Sequence, residues 1–147
     1  MSLLHHKKTI TAAVLATGAM DTSSGLLLMG LPTLALALMG VSLPPAACLV
    51  FIRFIGAFVF GVGALYLFAA LRFAGRGDRS ALVWVLGLTA WMRSVIFVFT
   101  AAAILTDALA PAWWSVPATD GLLALGQFIF IWKLGSERGG GRDGLAA

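Results

Sequence analysis

Residues 9–32, TITAAVLATGAMDTSSGLLLMGLP, break an oily stretch with Asp21, Thr22, Ser23 and Ser24, and the way this break is read sets the number of membrane crossings. A helix crossing hydrocarbon needs about 20 largely apolar residues. Two registers satisfy that need. In the first, the span covers 9–31, Asp21 lies near mid-depth, and 32–41 forms a short helix along the interface. In the second, 25–41 crosses and the residues before it form an amphipathic segment. Pro32 favours the first register, because within a span it would remove a helical hydrogen bond and clash with the preceding turn.

Outward from this stretch the chain is plainer. Apolar runs at 46–71, 81–106 and 114–134 each meet the length of a span, so both registers predict four. Of the 147 residues, 61% are hydrophobic and 11% are Asp, Glu, Lys or Arg, against about 45–50% and about 25% in soluble domains. The fold class expected is therefore all-α, a four-helix transmembrane bundle forming one domain over 1–135. Residues 136–147, with Gly139-Gly140-Gly141 and mixed charges, read as a flexible cytoplasmic tail. A cleavable leader is the competing reading of the start, with Lys7-Lys8 as its basic region and Thr17-Gly18-Ala19 as its cleavage site.

Lys and Arg set the orientation. Lys7 and Lys8 precede the first span, Arg72, Arg76 and Arg79 join the second to the third, and Lys133, Arg138 and Arg142 follow the fourth. The connections at 42–45 and 107–120 hold neither residue type. Basic loops stay inside, so both termini are expected in the cytoplasm. Trp113, Trp114 and Trp132 suit interfacial belts at the ends of the last span.

Several chemistries fall away. One cysteine, Cys48, makes neither an internal disulfide nor a thiolate zinc site. His5 and His6 precede the first span, leaving no intramembrane histidine to ligate haem or a di-iron centre. No metal and no cofactor are expected. The net charge of +4 is accounted for by orientation, and no basic soluble module is present for nucleic acid.

Charges within a bilayer cost about 2.5–3.5 kcal/mol each at mid-depth on insertion scales, so each one calls for a partner, a cavity or a function. Helical spacing sorts the polar residues into stripes. The first span aligns Thr17, Gly18, Asp21, Ser24 and Gly25; the second aligns Arg53, Ala57, Gly61 and Ala64. The third aligns Thr89, Arg93, Thr100 and Asp107; the fourth, Asp120, Ala124 and Gln127. Close-packing small residues turn the Arg53 stripe inward on this reading, although snorkelling to headgroups is the alternative. Asp21 and Arg93 share the midplane and are the expected ion pair, while Arg53 and Gln127 lie about 10 Å below the outer surface. Asp107 and Asp120 read as loop or cap carboxylates, the second at a helix start where negative charge is favoured. The candidate ligand-binding set is Asp21, Arg53, Arg93, Gln127, Thr89 and Thr100. No catalytic residue is assigned.

Gly25-x6-Pro32, Leu38-Met39-Gly40, Ile52-Arg53-x2-Gly56, Gly61-x-Gly63, mid-helix Arg93 and Asp120 occur here in one order. In these features the chain resembles the DoxX-like group of small four-helix bacterial integral membrane proteins, over most of residues 10–134. The resemblance implies a fold and not a reaction, and it supports the register in which Pro32 ends the first span.

The function expected is that of a non-enzymatic membrane protein. It would bind a polar or anionic amphiphile, lipid or quinone-like, or serve as an accessory subunit of a larger membrane complex. An oligomeric ion- or proton-coupled transporter using Asp21 and Arg93 is the alternative, and a membrane enzyme acting on lipid or quinone is the third reading. Membrane lipid, a larger complex or further copies of the chain are the partners implied.

Overall fold

The structure, a computed structural model, describes residues 3–139, with side chains over 7–133. The described residues form helices joined by short connections, with no strand among them: α1 (Leu3–Gly30), α2 (Pro32–Leu38), α3 (Leu49–Arg76), α4 (Arg79–Leu105) and α5 (Ser115–Gly139), with 3₁₀ turns at Ala46–Cys48 and Pro111–Trp114. Four stretches, Lys7–Gly30, Ala46–Arg76, Arg79–Leu105 and Pro111–Lys133, are long and apolar enough to cross a membrane. Large side chains such as Phe51, Phe58, Trp91 and Phe99 lie exposed, an arrangement suited to a lipid solvent. α5 continues past Ser136, where the sequence predicts the tail, and residues 140–147 of that tail lie outside the described residues.

The helix breaks where the first register puts the end of its span. Leu31 leaves helical geometry with φ −131° and ψ 59°, as expected of a residue preceding proline. Pro32 then opens α2, where its missing N–H costs nothing. α2 buries Pro32, Ala35 and Leu36, and ends sooner than the predicted 32–41.

The chain divides into two compact units, Met1–Val85 and Leu86–Ala147. In the first, α1 and α3 pack antiparallel through two glycine pairs, each with a seven-residue spacing. A Cβ on Gly18 would lie 2.9 Å from Tyr66 Cβ, and one on Gly56 would lie 2.8 Å from the Met29 backbone nitrogen. Gly25 faces the backbone of Phe60, and Gly63 faces Thr22. Close backbone approach through small residues is how helices gain van der Waals contact where lipid offers no hydrophobic drive. Tyr66, Ala69 and Ala70, fully buried, continue the same face.

The α3–α4 turn is built from three residues. Gly77 takes the left-handed conformation at φ 68° and donates its N–H to the Phe73 carbonyl, a geometry that costs a side chain about 1–2 kcal/mol. Asp78 accepts from the Ala81 N–H at 3.0 Å and from Arg72 Nη2 at 3.1 Å, so it caps α4 and anchors the end of α3. Its carboxyl titrates below the usual carboxylate range, first because of the Ala81 N–H and then because of Arg72.

In the second unit, α4 and α5 also run antiparallel: a Cβ on Gly87 would meet Ile131, and one on Gly121 would meet the ring of Phe97. Asp107 adopts φ 58° in the turn after α4, a conformation that Asp accepts better than most residues.

Two outcomes are expected. Gly63→Ala forces α1 from α3 and lowers stability by about 1–3 kcal/mol. Gly61→Ala, which meets no atom within 4 Å, leaves stability unchanged or raises it by up to about 1 kcal/mol; thermal unfolding in detergent reads both. The second concerns acid. Because the folded-state value of Asp78 lies below the unfolded one, its contribution is complete above the usual carboxylate range and disappears as pH falls through the lowered value. Asp78→Asn should therefore lose less stability than the wild type between neutral and strongly acid pH.

Candidate functional site

Arg93 lies near the middle of α4 and is buried, with 6% of its surface accessible. Its Nη1 donates to Oδ1 of Asp120 on α5, and the two side chains are 7% and 13% exposed. Such a pair is tolerated in an apolar interior because the ions compensate each other where water does not. Asp120 is thus not the cap carboxylate that the sequence suggests. The 3₁₀ turn Pro111–Trp114 runs directly into α5 at Ser115, which carries Asp120 into the second turn and beyond reach of the helix end.

Around this pair the unit gathers further polar groups. Thr89, one turn before Arg93, is buried and returns its hydroxyl to the Leu86 carbonyl at 3.2 Å. Gln127, two turns beyond Asp120, is buried, with Ala124 buried between them on that face. Thr100 is half-buried and donates to the Ile96 carbonyl at 2.7 Å, so its hydroxyl is satisfied within α4. The predicted Thr89, Arg93 and Asp120, Gln127 stripes therefore do face inward. Asp107, by contrast, is exposed in the turn.

Asp21 belongs to the first unit and is 5% exposed. Gly18 and Gly25 of its stripe are buried with it, whereas Ser24 is exposed. Asp21 and Arg93, the ion pair expected from sequence, fall in different units, and the ion pair described for Arg93 is the one with Asp120.

Arg53 departs from the expectation that its stripe turns inward. Arg53, Ala57, Gly61 and Ala64 are all exposed, and Gly61 has no neighbour within 4 Å of a Cβ position. The inner row of α3 is Gly56, Gly63, Tyr66 and Ala70 instead, because α1 presents Gly18 and Gly25 at the matching interval. Equal spacing of glycines on the two helices was the signal available in the sequence, and it selects Gly56 and Gly63 over Gly61. Among the described residues Arg53 meets no carboxylate and no hydrogen-bond acceptor.

No cluster of His, Cys, Asp or Glu among the described residues has the makings of a metal site. Neither a protein-family model, nor a curated protein, nor a solved structure matches this chain.

The burial of the Arg93 and Asp120 pair sets an expectation. Arg93→Leu alone strands the Asp120 carboxylate and costs about 3–5 kcal/mol, whereas the double substitution with Asp120→Leu costs less. A double-mutant cycle on thermal unfolding in detergent measures the difference.

Proposed function

We propose that this chain is a non-enzymatic, multi-pass protein of a bacterial inner membrane that binds an anionic amphiphile on the outward face of α3. The head group sits on Arg53 and the tail lies along Ala57, Gly61 and Ala64. The inner-membrane assignment and membership of the DoxX-like group rest on the sequence resemblance; the cytoplasmic placement of the termini rests on the basic loops.

One observation carries the reading: Arg53 is an exposed cation on an apolar helix with no counter-ion among the described residues. Arg93, which the sequence offers as an equal candidate, is neutralised by Asp120. At about 1.5 Å of rise per residue, Arg53 lies about 10 Å along the helix from Ala46, within snorkelling reach of phosphate or carboxylate heads. Below it the small side chains leave a shallow track for an acyl or isoprenoid chain. Phe54 and Phe58, 5.1 Å apart edge to face, wall that track on one side.

Lipid extracts and native mass spectra of protein purified in mild detergent test the reading. The wild type should retain an acidic lipid or a quinone-like molecule; Arg53→Gln should retain about tenfold less, since a charge-assisted hydrogen bond is worth about 1.5–3 kcal/mol. Arg53→Lys should keep part of the binding. Equal retention by Arg53→Gln and the wild type would overturn it, and a co-purifying protein lost on that substitution would replace the amphiphile by a partner subunit.

A further inference from the structure

At the other end of α3 the first unit assembles a basic cluster from three separate helix ends. Antiparallel packing of α1 on α3 sets Lys7 against Phe73, near the end of α3 that also carries Arg72 and Arg76, and the turn adds Arg79 at the start of α4. The cations are placed by aromatic rings: Lys7 Nζ lies 5.7 Å from the centroid of Phe73, and Arg72 Cζ lies 5.8 Å from that of Phe68. Each ring rides on the apolar helix, which holds its cation at the level where hydrocarbon gives way to headgroups.

The charge at this end is not balanced from within. Residues 1–8 and 72–80 contain a single carboxylate, Asp78, which already serves the Ala81 N–H and Arg72. Arg72 meets it through one nitrogen, Nη2, and its Nε, itself buried, has no acceptor among the described residues. Lys8, Arg76 and Arg79 are exposed. Cations fixed at headgroup depth with spare donors complement phosphate, and their spread over three helix ends exceeds what one phosphate can neutralise.

We infer that this end of the first unit is a binding site for a phospholipid bearing two phosphates, held by Lys7, Arg72, Arg76 and Arg79. The site is independent of Arg53, which lies at the opposite end of α3, so either reading can fail without the other.

Titration of the full chain in neutral detergent with diphosphatidylglycerol, phosphatidylglycerol and phosphatidylcholine, read by native mass spectrometry, tests the inference. Diphosphatidylglycerol should bind at least about tenfold more tightly than the single-phosphate lipid, since each basic residue at the surface contributes about fivefold. The Lys7→Gln/Arg76→Gln pair should lose most of that preference while keeping its helical circular dichroism. Lys133→Gln, which removes one positive charge from α5, should keep it. Equal binding of all three lipids, or an undiminished preference in the paired variant, would sink the proposal. If that pair fails to fold, Arg79→Gln with its own titration decides in the same way. Inorganic pyrophosphate that binds as tightly as the lipid would identify a soluble phosphate ligand and overturn the lipid assignment.

Discussion

A charge surrounded by hydrocarbon must be compensated, carried to the surface or removed, and the charged residues of this chain divide along that line. Arg93 is compensated, because α5 brings Asp120 to it inside the second unit. Arg72 is carried to the helix end, where Asp78 meets it. Arg53 is exposed and meets no carboxylate among the described residues, yet it lies within about two turns of a helix start, close enough for its long side chain to reach polar headgroups. Which arginine is open to a ligand therefore follows from which has met its carboxylate.

The same solvent governs packing. Lipid gives apolar helices no reason to associate, so contact has to come from close backbone approach. Gly18 and Gly25 against Gly56 and Gly63 provide it. The hydroxyls follow the economy of an apolar medium: Thr17, Ser94, Thr100 and Thr106 each return a hydrogen bond to a carbonyl of their own helix. In consequence the antiparallel α1–α3 pair has an apolar middle and a basic end, while the outward side of α3 carries Arg53 over small residues.

Much of the helical layout was legible in the chain because it depends on local rules. Run length marks the spans, and Pro32, through the geometry it imposes on Leu31, separates α1 from α2. The inward faces of α4 and α5 could also be read, since polar residues at intervals of four and seven fall on one side of a helix. Arg53 shows where this reasoning stops. Both candidate rows of α3 contain small residues, and a helix alone does not determine which row its neighbour will cover. Asp120 failed for a different reason: a 3₁₀ turn moved the start of helical structure, so a residue taken for a cap came to lie within reach of Arg93.

Composition and periodicity by themselves determined an all-helical chain with four apolar stretches of spanning length, interrupted at Pro32 and at the basic connection between 71 and 81, with every Lys and Arg except Arg53 and Arg93 at the ends of the chain or in that connection. These are properties of single helices and of their ends, and they need only neighbours in sequence. Tertiary structure alone decided which arginine is neutralised, and that cations from separate segments gather at one end of the α1–α3 pair. Those outcomes depend on a match between two surfaces, in spacing and in charge, and no single helix contains that information.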